Sequence, residues 1–160
     1  MKTFFAVTLS FLAALILAII PLPTWAIWFR PDWVLLALIY WSLMLPERVG
    51  VNVAFCLGLL MDVLTGTLLG EHALAYVAVA YFTVRFCPLI RLFPIWQQAL
   101  LIFIFTFLVQ AFKFWIWGLS GTGAISVGWI YWLPGIISAI LWPVIYTLLK
   151  GYQGRYRIYE

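Results

Sequence analysis

The chain has little charge and almost none of the equipment for chemistry in water. Of its 160 residues, five are Asp or Glu, nine are Lys or Arg and one is His, so charged residues make up 9% against 67% hydrophobic. A soluble domain of this length could not cover its surface with so few polar groups, which makes the bilayer the expected solvent. The single histidine, His72, sits beside Glu71 and has no partner at a zinc-ligand spacing. Two cysteines, Cys56 and Cys87, fall in apolar stretches on or near the reducing side, so they read as buried packing residues rather than a disulfide. There is no phosphate-binding glycine loop and no pair of catalytic carboxylates. The segment from Gly118 to Gly128 holds Ser120 and Ser126 among glycines without an evident base. The residues point away from an enzyme, and they call for no cofactor or metal. The net charge of +4 is spread over short loops and a tail, which favours lipid head groups over nucleic acid as the partner.

What is present is apolar sequence, in six stretches near Phe4–Ile20, Asp32–Leu45, Val49–Leu69, Ala73–Phe86, Ile95–Trp117 and Trp129–Leu149. A helix needs about 20 apolar residues to cross the hydrocarbon. The second and fourth stretches are short for that and are expected to extend into their flanks or to shelter among neighbours. Lys2, Arg48, Arg85, Arg91, Lys150, Arg155 and Arg157 lie on one side of this pattern and Arg30 alone lies on the other. The positive-inside rule therefore places both termini in the cytoplasm. Trp25, Trp28, Trp33, Tyr40, Trp41, Trp96, Trp115, Trp117, Trp129, Tyr131 and Trp132 gather near the ends of the stretches and read as interfacial anchors. Pro21-Leu22-Pro23 stands where a signal peptide would need small residues, so the first stretch is expected to remain as a helix. No fixed-period repeat and no loop long enough to fold alone interrupts the pattern. Residues 1–160 are read as one all-α membrane domain, a bundle of six transmembrane helices.

Two ionisable residues fall within the stretches, and such positions are costly. Asp62 shares a helix face with Gly58 and Gly66, so a second backbone can approach it, and Gly66–Gly70 has the spacing of a small-residue packing motif. The structural alternative is that Asp62 ends its helix by capping amides around Thr65 and Gly66, and this is the favoured reading. Lys113 shares a stripe with Thr106, Gln110 and Trp117. Snorkelling of its long stem accounts for it, although a pair with Asp62 is geometrically open. Gln97 and Gln98 are explained by interfacial solvation.

Phe29-Arg30-Pro31-Asp32-Trp33-Val34-Leu35-Leu36, Tyr40-Trp41 and Leu45-Pro46-Glu47-Arg48-Val49-Gly50-Val51 begin an ordered series. It continues through Gly58-Leu59-Leu60-Met61-Asp62-Val63-Leu64-Thr65-Gly66, Leu69-Gly70, Trp96-Gln97-Gln98-Ala99 and Leu141-Trp142-Pro143. In order and spacing this series resembles the proteobacterial branch of the rod-shape-determining MreD family. The resemblance implies a subunit of the cytoplasmic (inner) membrane in the machinery that builds lateral-wall peptidoglycan. The partners it implies are MreC, the actin-like MreB, and RodA with its penicillin-binding transpeptidase, with association between copies of the chain left open. It also implies a fold similar to the six-helix substrate-binding subunits of energy-coupling-factor vitamin transporters. That likeness supplies the rival function, a small-molecule binding or transport subunit, against which the sparse intramembrane polar set weighs. Carried over residue by residue, Arg30, Pro31 and Asp32 match the family's approach to the second helix, and Asp62, Gly66 and Gly70 match its aspartate-glycine segment. With Gly58 and Lys113, these are the candidate structural or interaction positions.

Overall fold

Proline and glycine mark where helices stop and start. In the computed structural model, which describes residues 2–21, 23–26, 29–119 and 128–155, α1 (Lys2–Ile19) ends ahead of Pro21 and α2 (Trp33–Met44) begins after Pro31. Asp32 caps α2, its Oδ1 accepting from the Leu35 amide at 3.1 Å. α3 (Val51–Thr65) closes on Gly66 at φ +66°, and α4 (Glu71–Arg85) opens after Gly70 at φ +103°. Both are left-handed conformations that glycine adopts without a Cβ penalty. A one-turn helix, α5 (Cys87–Ile90), precedes α6 (Ile95–Leu119), and a 3-10 turn at Trp129–Trp132 leads into α7 (Leu133–Arg155). The described residues contain no strand.

α2 is the centre of the packing. It is apolar on every side, and Val34 through Leu43 are all buried, as a helix enclosed by others requires. It touches α1, α4, α5 and α7, while α3 and α4 share the most extensive interface between any two helices. That interface is close because Gly58 has no side chain: a Cβ there would lie 2.3 Å from Ala73 Cα. Around this core the usual polarity is reversed. Phe4, Leu12, Val63, Leu74, Leu100, Ile140 and many other large apolar side chains face outward, whereas Ser42, Asp62, Glu71, His72, Thr83, Gln98, Thr106, Gln110 and Ser138 are buried. A water-facing surface does not carry an apolar belt of this extent. By length and composition α6 and the stretch Trp129–Gly154 suffice to cross a membrane, and Phe4–Ile19, Trp33–Met44 and Val51–Thr65 are apolar but shorter.

Several expectations change at this level. The stretch Val49–Leu69 is not one helix, because Gly66 ends α3 and residues 66–70 form the turn into α4. Tyr40 and Trp41 are not interfacial anchors but fully buried core: Trp41 Nε1 donates to Ser10 Oγ at 2.7 Å and Tyr40 Oη to Gln153 Oε1 at 2.9 Å. Trp25, Trp96, Trp115 and Trp129 are exposed as anchors would be, and Trp28 lies outside the described residues. Gln98 is buried rather than solvated. Its Nε2 donates to the carbonyls of Ile90 and Phe93, and its Oε1 accepts from Trp142 Nε1 at 3.2 Å. Cys87 is buried against the Leu43 carbonyl, but Cys56 is exposed on α3.

Candidate functional site

The turn between α3 and α4 brings Asp62 back over the start of the next helix. Its Oδ2 accepts from the Gly70 amide at 2.7 Å and its Oδ1 from the His72 amide at 2.8 Å, so the carboxylate caps α4 from α3. This corrects the expected cap around Thr65–Gly66, where it is the Asp62 carbonyl that receives the Gly66 and Thr67 amides. A carboxylate here also meets the positive end of the α4 dipole. Thr67 Oγ1 adds a bond to Oδ1 at 3.2 Å, and His72 Nδ1 approaches the same oxygen at 2.8 Å. On the far side of the ring, His72 Nε2 lies 2.8 Å from Lys113 Nζ on α6. An ammonium can only donate, so Nε2 accepts and Nδ1 carries the proton that faces Asp62. Asp62 and Lys113 are therefore joined through a neutral imidazole rather than paired directly, and Lys113 turns inward instead of snorkelling alone.

A second polar knot ties the start of α2 to two other helices. Asp32 Oδ1, besides capping α2, accepts from Tyr76 Oη of α4 at 2.8 Å, and the Asp32 amide donates to Ser138 Oγ of α7 at 3.3 Å. The Arg30 guanidinium donates to the Ile20 carbonyl just beyond α1.

Both knots border one cavity of about 320 Å³. Arg30, Pro31, Asp32, Glu71, His72 and Lys113 line it, with the Lys113 stripe of Thr106, Gln110 and Trp117 along α6 and with Trp33 and Tyr131 as aromatic wall. Glu71 is 2% exposed and Gln110 is 8% exposed. Glu71 Oε2 accepts from Trp117 Nε1 at 3.3 Å, but Glu71 Oε1, Gln110 Oε1 and Arg30 Nε are buried and have no hydrogen-bond partner among the described residues. No group of three or more His, Cys, Asp and Glu suited to a metal ion occurs among those residues.

Of the positions singled out in the sequence, Arg30, Pro31, Asp32 and Lys113 line this cavity and Asp62 stands behind its His72 wall. The three glycines shape the α3–α4 hairpin instead. Gly58 permits the close contact with Ala73, whereas Gly66 and Gly70 have nothing within 4 Å and serve the turn by their positive φ, not as a packing motif. Sequence reasoning missed Glu71, His72 and Tyr76 as parts of a site. The first two look like a charged loop pair until Gly70 is recognised as the residue before a helix, after which both fall in its first turn. Ser120 and Ser126 lie outside the described residues.

The chain matches the family model of the rod shape-determining protein MreD over residues 1–152. It is 27% identical over 158 residues to the rod shape-determining protein MreD of Haemophilus influenzae, an alignment that spans 97% of this chain and 94% of that one. No solved structure matches the chain.

Proposed function

The chain belongs to the MreD family, a membrane protein of cell-shape determination, and from that membership we propose that it is a non-enzymatic scaffold of the wall-elongation machinery in the inner membrane. In this reading residues 1–160 form one membrane domain of six spans, α1 to α4, α6 and α7, with both termini in the cytoplasm. Its arrangement is similar to that of the substrate-binding subunits of energy-coupling-factor transporters. The observation that carries the proposal is the family match over nearly the whole chain, and the outward apolar belt supports it physically. The partner is MreC, whose apolar segment packs on that belt, with MreB, RodA and its transpeptidase assembled around the pair. Association within lipid draws on dispersion and close packing, because lipid tails are as apolar as the helices they would leave.

Two experiments test the reading. Tagged chain extracted in mild detergent should retain MreC, and depletion from a rod-shaped host should give round cells. Normal rods after clean depletion, with no second copy of the gene, would contradict the proposal. Failure to retain MreC together with tight binding of a vitamin-like solute would replace it with the transport-subunit reading.

A further inference from the structure

We infer that the cavity between the start of α2, the start of α4 and the end of α6 is a binding site for a zwitterion that joins a primary amine to an anionic group, of the size of phosphoethanolamine. Several hydrogen-bonding atoms on the side chains that line it are unmatched. On the acceptor side stand Glu71 Oε1 and Gln110 Oε1, both buried and both without a partner among the described residues. On the donor side, Arg30 Nε is equally unmatched, and Lys113 Nζ, with three N–H groups, has one directed at His72 Nε2. Buried polar groups in folded proteins are as a rule satisfied, so unmatched acceptor and donor atoms on side chains that line one cavity point to an occupant that carries both.

Charge narrows the class. Arg30 and Lys113 stand against Asp32 and Glu71 in the lining, so a bare anion meets two carboxylates and a bare cation meets an ammonium and a guanidinium. A zwitterion answers both sides, its amine donating to Glu71 and Gln110 and its anionic oxygens accepting from Arg30 and Lys113. At about 320 Å³ the cavity lies at the small end of ligand sites, which run from about 300 to 1,000 Å³. Trp33, Trp117 and Tyr131 give the site the apolar and aromatic wall that such sites share. The amine-phosphate group is available from two sources, the head of a membrane phospholipid or the free compound.

The full chain in phosphatidylglycerol nanodiscs is the starting point, with thermal unfolding followed by tryptophan fluorescence. Phosphatidylethanolamine should raise the Tm, and phosphatidylcholine should not, because its trimethylated nitrogen has no N–H for Glu71 and Gln110. Stabilisation by soluble O-phosphoethanolamine as well assigns the head group as sufficient, and stabilisation by the lipid alone assigns the bilayer as the source; either upholds the site. Inorganic phosphate should have no effect. Gln110→Leu removes an unmatched buried acceptor, so the ligand-free variant should unfold no earlier than wild type while its apparent affinity falls by about tenfold, the loss of one good hydrogen bond. Glu71→Gln should weaken binding further. Equal stabilisation by phosphatidylcholine, no stabilisation by either form of phosphoethanolamine, or a full response in both variants would show that the cavity holds only water.

Discussion

Gly58→Ala puts the α3–α4 contact to a direct test. The added methyl would stand 2.3 Å from Ala73 Cα and 2.6 Å from Ala73 N, and both are backbone atoms that no rotamer change can move aside. Ordinary contact begins at 3.4 Å, so the two helices must part by about 1.1 Å at that level. The same opening stretches the Asp62 bonds to the Gly70 and His72 amides, now 2.7 and 2.8 Å, past the range of about 3.2 Å in which such bonds hold. Overpacking of this kind costs about 1–3 kcal/mol, and each weakened bond within a membrane protein adds about 0.6–2 kcal/mol. The expected loss is about 2–7 kcal/mol. It is read as a lower Tm of the purified chain in mild detergent and as less protein in the membrane. Gly66→Ala is the control, since it meets nothing within 4 Å and carries only the strain of its positive φ, about 1–2 kcal/mol. A Gly58→Ala protein as stable as wild type, or more stable than Gly66→Ala, would refute the packing argument.

Asp62→Ala should lower the amount of folded protein, because it removes the acceptor of the Gly70 and His72 amides, while Asp62→Asn, which keeps one acceptor oxygen, should be milder. Equal loss of cell-shape function in both at wild-type protein levels would mean that the charge itself acts, as in a proton or cation carrier. Tyr76→Phe removes the hydroxyl that donates to Asp32 and should cost about 1–2 kcal/mol in thermal or denaturant unfolding, with no change if that bond is absent in the membrane. A reporter fused after Gly151 should be active only in its cytoplasmic form, and alkaline-phosphatase activity there would reject the proposed orientation.

The helices themselves were legible because their signals are local. Pro31 with Asp32, Gly66, Gly70 and Pro94 punctuate apolar runs, and the observed bounds of α1, α2, α4 and α6 lie within a few residues of those read from the sequence. Gly66 and Gly70 were visible too, but their spacing suggested packing while their φ values show a turn, a distinction that needs the backbone. The polar site was harder. Lys113, Gln110, Thr106 and Trp117 form a stripe that helical spacing reveals, yet its partners Glu71, His72 and Asp32 come from elements far away in the chain. Composition made the polar residues look too sparse for a site, because counting them does not show that so many converge on one cavity. Tyr40 and Trp41 mislead in the opposite sense: an aromatic pair in a short apolar run reads as an anchor until the run proves to be enclosed on all sides.

The brevity of α2 has a geometric consequence. Twelve residues rise about 18 Å, well short of the roughly 30 Å of a hydrocarbon layer. A lipid-facing helix of that length draws the bilayer thin around itself, but α2 is walled in by its neighbours, so the shortfall is met inside the protein. α6 is longer at 25 residues, and the cavity is a well lined by Pro31, Asp32 and Trp33 from the start of α2 and by Gln110, Lys113 and Trp117 from α6. Pro31 sets the depth of that well: it has no N–H to continue the helix backward, and it biases Arg30 away from helical geometry. One further turn of α2 would carry the helix about 5.4 Å farther at the end that borders the well. The room inside this bundle is thus a matter of chain length along its axis, decided by where a single proline stands.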